Sequence, residues 1–276
     1  QAPVWDLLGG RCRDKIRLHL LGGAGTPDAM ITAARETVEE GFTALKFDPV
    51  HHIDTGIDRM VKTAVDLVAA AREGGGPDLD IIIEVHRKLT PMTALTLAEA
   101  LAPFNLYFFE DPIEPENMDQ WEYVASNVPM PLAMGERLYT VYQFLDLLNH
   151  RGAAFVRPDL SLAGGITNIK KIAAIAEANY VGVVPHNPLS AVLTAACVQL
   201  DAATHNIPVQ EYPSDDATGV KADLVDEPLT RDGGYVLVPD RPGIGIDLNE
   251  EAFAKYPTVS YDRPPLINPD GSLREY

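Results

Sequence analysis

The chain has 276 residues, 46% of them apolar, enough to bury a full core in one large domain or two small ones. Its formal net charge of −18 argues against nucleic acid and against an anionic membrane surface as partners, and no apolar run nears the roughly 18 residues of a membrane span. Two cysteines, Cys12 and Cys197, fit no metal spacing; they leave a disulfide open but favour reduced thiols, and with no signal-peptide pattern at the start the expectation is a soluble, cytoplasmic protein.

In chain order, Gln1 to Leu21 holds an apolar segment closed by Gly9-Gly10 and a first strand at Ile16 to Leu21. The absence of an initiator Met points to a processed or truncated chain. Thr26-Pro27-Asp28 starts a helix to about Glu40, because a small polar N-cap followed by proline suits the first turn. Strand two is Thr43 to Asp48, followed by a polar loop from Pro49 to Gly56 with His51 and His52, long enough to bend over a rim. A helix from about Ile57 to Arg72 is expected to stop at Gly74-Gly75-Gly76-Pro77.

From there six apolar runs each end in a carboxylate or a histidine: Glu84, Glu110, Glu136, Asp159, His186 and Glu211. Their spacings are 26, 26, 23, 27 and 25 residues, with an amphipathic helical stretch between each pair. That period predicts successive β/α units of a closed barrel, eight strands and seven helices, with these residues on one rim. The carboxyl-end rim of such a barrel is where active sites form. After Glu211 the pattern breaks, and residues 212–276 read as a tail with a hairpin at Gly233-Gly234, packed outside the barrel.

Neighbouring strands lie about 4.8 Å apart, so Glu84, Glu110 and Glu136 can converge on one point. Three carboxylates without a cation repel and cannot all stay ionised, and oxygen-only ligation favours Mg²⁺ over Zn²⁺. An anionic substrate on so acidic a chain sets the same requirement. Asp159 beside His186 can orient the imidazole and make it a general base. His86 lies two residues past Glu84 and faces the same way, placed to meet a leaving group. Glu211 closes the ring and, kept protonated, can donate to a developing oxyanion. Lys46 and Arg137 are candidates to neutralise a substrate carboxylate; each reads equally well as an ordinary rim charge.

Ile83-Glu84-Val85-His86, Phe109-Glu110-Asp111-Pro112, Met134-Gly135-Glu136-Arg137, Arg157-Pro158-Asp159 with Gly164-Gly165-Ile166-Thr167, Pro185-His186-Asn187-Pro188 and Gln210-Glu211 together resemble the enolase superfamily. Within it they resemble most the mandelate racemase subgroup, near its galactonate and gluconate dehydratases. The resemblance covers essentially the whole barrel. It implies a modified (β/α)7β TIM barrel, Mg²⁺ held by Glu84, Glu110 and Glu136, a base dyad of His186 with Asp159, a general acid at His86, and Glu211 bonded to a substrate carboxylate oxygen; the use of a His base with Mg²⁺ and an ene-diolate is a known property of this superfamily.

Two departures matter. The first metal ligand is commonly Asp in the family and is Glu84 here. On strand two, where racemases of the subgroup show Lys-x-Lys, this chain has Lys46-Phe47-Asp48, so the position of a base lysine carries an acid, Asp48, which is expected to contact substrate alongside Lys46. One base rather than two favours dehydration over racemisation. The expected reaction is loss of water from a sugar acid: His186 takes the C2 proton, His86 protonates the departing C3 hydroxyl, and a 2-keto-3-deoxy acid forms.

The rival within the superfamily is a cycloisomerase of an anhydro or lactone sugar acid, and outside it a silent barrel acting as a binding protein. Residues 1–211 are expected to form the catalytic barrel and residues 212–276 to complete it. The resembled family places a capping domain before the barrel, and with the first strand under way at Ile16 that domain is expected to be absent from this chain, supplied as a separate piece or lost. A homo-oligomer is expected.

Overall fold

The computed structural model describes residues 1–50, 56–260, 265–267 and 271–274, so the loop histidines His51 and His52 lie outside the described residues. A single helical turn, α1 (Val4–Leu7), leads to β1 (Lys15–Leu21). Seven helix-strand units follow: α2 (Pro27–Glu39) with β2 (Ala44–Phe47), α3 (Ile57–Gly75) with β3 (Asp80–Glu84), α4 (Pro91–Leu101) with β4 (Phe108–Glu110), α5 (Met118–Asn127) with β5 (Leu132–Met134), α6 (Val141–Asn149) with β6 (Phe155–Val156), α7 (Gly165–Ala178) with β7 (Gly182–Val183), and α8 (Ala191–Ala202) with β8 (Gln210–Pro213). The strands are parallel in the order β8-β1-β2-β3-β4-β5-β6-β7.

No ladder joins β7 to β8 among the described residues, but hydrogen bonds cross between their segments: Val183 N–H donates to Asn206 O at 2.8 Å, and Gln210 Nε2 to Pro185 O at 3.0 Å. The fold is the (β/α)7β barrel, with β3 and β7 four strands apart in an eight-strand ring and so on opposite walls.

Alternation along the strands divides the barrel into two shells. Outward residues such as Leu45, Ile81, Ile83, Phe109, Leu132, Met134 and Val156 pack under the helices in the main core. Inward residues form a second, smaller cluster of Ile82, Phe108, Ala133, Val184 and Val209, with Tyr107 and Phe155 against it. Two residues further along each strand the inward position turns polar: Ile82 gives way to Glu84, Phe108 to Glu110, Phe155 to Arg157, Val184 to His186 and Val209 to Glu211. An apolar floor therefore carries a charged layer, and the helices start where their side chains cap them, as Thr90 and Thr140 do in capping boxes.

Three local expectations change. The helix expected to end at Arg72 continues to Gly75, because Gly74 packs on α2, where a Cβ would lie 2.1 Å from Ile31 O. β6 and β7 end at Val156 and Val183, short of Asp159 and His186, since Pro158 and Pro185 have no N–H to give the ladder. An isolated parallel bridge between Asp159 and His186 resumes it. β5 likewise ends at Met134, two residues before Glu136.

The tail adds α9 (Gly219–Asp223), β9 (Arg231–Asp232), β10 (Tyr235–Leu237), α10 (Glu250–Lys255), β11 (Leu266–Ile267) and β12 (Leu273–Arg274). The β9–β10 hairpin turns at Gly233-Gly234, and β10 pairs antiparallel with the first half of β1, Ile16 opposite Val236. Val236 and Val238 bury with Ile16, Leu18, Phe42, Val198 and Tyr212, so the tail packs outside the barrel. No helix among the described residues is long and apolar enough to cross a membrane.

Candidate active site

The ladder sets the three glutamates. Glu84 and Glu110 are partners in register on β3 and β4, both at the last residue of their strand. Glu136 arrives through Gly135, whose φ of +139° and close approach to the Phe144 ring and Arg157 N leave no room for a Cβ. The three side chains each offer an oxygen within 4.8 Å of the others.

Their charges are not left alone. Lys46 Nζ, buried on β2, lies 2.7 Å from Glu84 Oε2, 2.8 Å from Glu110 Oε2 and 2.7 Å from Glu211 Oε2. Burial and Arg157 pull the Lys46 pKa down, yet Glu110, Glu211 and Glu84 outweigh them and raise it. Arg157, fully buried on the segment after β6, donates from Nε to Glu110 Oε1 at 2.7 Å and from a terminal nitrogen to Glu211 Oε2. Arg87 donates to Asp111 Oδ2 at 2.7 Å and to Glu136 Oε1. The sequence argument that a metal must be present to balance the acids is therefore corrected: lysine and arginine already oppose them.

What remains in favour of a metal is the donor set. The candidate donors are all carboxylate oxygens, which suit a hard cation such as Mg²⁺. Glu84 Oε1 is buried and accepts no hydrogen bond, with only His86 Nε2 near it at 3.4 Å, an acceptor that a cation would satisfy. The residues present fit such an ion.

Two histidine-carboxylate pairs flank this centre from opposite walls. On β7's side, His186 Nδ1 is 2.9 Å from Asp159 Oδ2, while its Nε2 lies 3.1 Å from Glu136 Oε2. Burial lowers the His186 pKa, but the Asp159 hydrogen bond and the charges of Glu211 and Glu136 raise it overall. Asp159 in turn accepts from Ser161 N–H at 2.7 Å, and against burial its His186 and Ser161 contacts hold its pKa down.

On β3's side, His86 Nδ1 is 2.9 Å from Asp48 Oδ2, and its Nε2 is 3.4 Å from Glu84 Oε1. His86 has φ of +50° and Arg87 +63°, a left-handed pair that folds the chain back over the strand end. Burial again opposes, and Asp48 with Glu84 raises the His86 pKa. Asp48 also receives Lys88 Nζ, and against burial these bonds lower its pKa.

Glu211 departs from its expected role. Both its oxygens accept, Oε2 from Lys46 and Arg157 and Oε1 from Asn187 N–H, rather than donating as foreseen from the sequence, and against burial Arg157 and Lys46 hold its carboxyl well below the usual range. It accepts from Asn187 N–H at 2.8 Å, tying β8 to the residue after His186. Asp111, by contrast, is pushed up to about 8 by burial and by Glu136 and Glu110.

Leu21, Phe47, Lys46, Asp48, Glu84, His86, His186, Pro188 and Glu211 line a cleft of about 220 Å³. Arg137 does not: it faces Glu114 and Glu116 at 3.6 and 4.0 Å on the loop beyond Glu136. Of the two readings open for Arg137, substrate contact or rim charge, this pairing is the rim charge. Asp48, expected to meet substrate, mainly serves His86. Sequence reasoning gave no role to Arg157, Arg87 or Asn187. The signal for Arg157 was its place two residues before Asp159, which puts both on the inward face.

Known proteins resemble this chain along nearly its whole length. The family model described as enolase C-terminal domain-like matches residues 29–252. A D-galactonate dehydratase of Cronobacter sakazakii is 34% identical over 283 residues, covering 100% of this chain and 74% of its own length. An enolase from Agrobacterium radiobacter, solved with sodium and L-malate bound and an ordered active site, superposes with a TM-score of 0.89 at 33% identity, over 99% of this chain and 73% of that one. An enolase superfamily member from Salmonella Typhimurium gives a TM-score of 0.88 at 29% identity, over 94% and 72%.

Proposed function

The chain belongs to the enolase superfamily, and from that premise we propose that it is a hydro-lyase that removes water from a sugar acid of the aldonate class to give a 2-keto-3-deoxy acid. The observation that carries this reading is the pair of histidine-carboxylate dyads on opposite walls, His186 with Asp159 and His86 with Asp48, with the three glutamates between them. The name of the Cronobacter relative supports the substrate class.

Asp159 fixes the His186 ring through Nδ1, leaving Nε2 to take the proton from C2. Asp48 does the same for His86, whose Nε2 delivers a proton to the C3 hydroxyl as it departs. The C2 proton and the C3 hydroxyl leave as water, and the enol tautomerises to the keto acid. Glu84, Glu110 and Glu136 would hold Mg²⁺, which when bound supplies Lewis-acid polarisation of the substrate carboxylate, a contribution on the order of several kcal/mol. Lys46 adds positive charge where that carboxylate docks, beside Glu84 and Glu211.

Charge counting fits a monoanion. Glu84, Glu110, Glu136 and Glu211 face Lys46, Arg157 and Arg87. One divalent cation and one carboxylate bring that set to neutrality.

The test is a panel of aldonates with the protein and Mg²⁺, scored for 2-keto-3-deoxy acid. Product from at least one aldonate, lost on chelation and regained with Mg²⁺, is expected. Ring-opened or ring-closed isomers without loss of water would identify a cycloisomerase, and no turnover of any sugar acid would leave a binding protein.

A further inference from the structure

We infer that Arg157 is a positioning residue that sets Glu110 and Glu211 together, so that one guanidinium fixes both a cation ligand and the acid on β8. The assignment rests on the metal-assisted dehydration proposed above. Arg157 is fully buried, and its Nε–H and one terminal N–H reach carboxylates on strands β4 and β8, which stand on well-separated parts of the barrel wall. Its other terminal nitrogen donates to Val184 O at 3.1 Å, so the fork is anchored to backbone two residues before His186.

The planar guanidinium, with separate N–H groups on Glu110, Glu211 and Val184 O, permits only a narrow range of positions for the two acids, whereas an ammonium such as that of Lys46, which also touches both, is a point charge that leaves their orientation free. The consequences reach both dyad and ligand set. Asn187 N–H donates to Glu211 at 2.8 Å, so a displaced Glu211 disturbs the loop that carries His186. Glu110 also shares Lys46 with Glu84, so its rotation alters the spacing of the three oxygens.

An arginine that only filled the barrel would contribute to stability and nothing else. A nearby positive charge that merely repelled a cation would, on removal, tighten binding. Positioning makes a third forecast: replacement by lysine, which keeps the charge and loses the fork, weakens binding.

Metal-free wild type and Arg157→Lys are titrated with Mn²⁺, free Mn²⁺ being followed by electron paramagnetic resonance, with thermal unfolding recorded in parallel. The expected result is a Kd for Mn²⁺ raised by about 10-fold or more, in line with loss of an outer-sphere partner, together with a fall in kcat on the aldonate. A Kd within about two-fold of wild type, whatever the change in Tm, overturns the assignment and leaves the metal reading standing. Failure of wild type itself to bind Mn²⁺ overturns both. If Arg157→Lys does not fold, wild type labelled with ¹⁵N-arginine decides: an exchange-protected Nε–H signal that moves on addition of Mg²⁺ is expected, and its absence overturns the role.

Discussion

The inside of the barrel contains two layers that the same strands build two residues apart. The lower layer, Ile82, Phe108, Ala133, Val184 and Val209, is apolar and tight, with the Phe108 and Phe155 rings 5.3 Å apart. The upper layer, Lys46, Glu84, Glu110, Arg157 and Glu211, is as dry as the lower but fully charged. The lower layer is stabilised by removal of apolar area from water, and the upper persists only because each acid is paired with a cation. A buried ion cluster is poor value as a source of stability, so its presence marks function, while the floor beneath it provides the rigidity that keeps those charges in place.

A larger cavity of about 420 Å³ opens at the opposite, amino-terminal end between Phe155, Tyr180, Val181 and Pro208, and it has neither dyad nor carboxylate triad. Size does not pick out the site here; the arrangement of titratable groups does.

Breaking each layer separately tests this division. His186→Asn removes the base from the upper layer and is expected to slow dehydration by about 10² to 10⁴-fold with little change in Tm. A comparable loss of stability would show that the charged layer also holds up the fold. Phe108→Ala removes a floor ring and is expected to cost about 3–5 kcal/mol in urea unfolding, while the Mn²⁺ Kd of the folded protein stays within about three-fold of wild type. A large change in that Kd would mean the layers are coupled.

The smallest effect concerns Asp201 on α8, a control for what pairing does. Glu211 is buried with partners and its pKa is lowered; Asp201 is as buried, neither oxygen has a hydrogen-bond partner, and burial, only partly offset by Arg13, raises its pKa well above the usual value. Folded protein then keeps a proton that the unfolded chain releases. Stability is full below the unfolded pKa and falls as pH rises through the folded one. Asp201→Asn is expected to flatten that slope in Tm against pH, converging with wild type at acid pH; an unchanged slope would mean Asp201 is ionised in the fold.

Much of this could be read in the chain. The 23- to 27-residue spacing of Glu84, Glu110, Glu136, Asp159, His186 and Glu211 reflects one strand and one helix per unit, a regularity that survives in sequence because each strand end faces the same rim. Partners across the barrel were not readable. Nothing local to Lys46 says that it will sit among Glu84, Glu110 and Glu211, since those contacts span 38, 64 and 165 residues. Asp48 was noticed for replacing a lysine, yet its partner is His86 on the next strand, a pairing that depends on the left-handed backbone at His86 and Arg87. Strand ends were overextended where Pro158 and Pro185 interrupt the ladder.

The central claim is that two histidines on opposite walls divide the chemistry, one moving the C2 proton and the other releasing water. The direct measurement compares wild type with His86→Asn on an aldonate in D₂O, following deuterium at C2 of recovered substrate by NMR alongside formation of the keto acid. The account expects exchange at C2 to persist in the variant while water loss falls by about 10²-fold or more. Equal loss of exchange and of water elimination would contradict it.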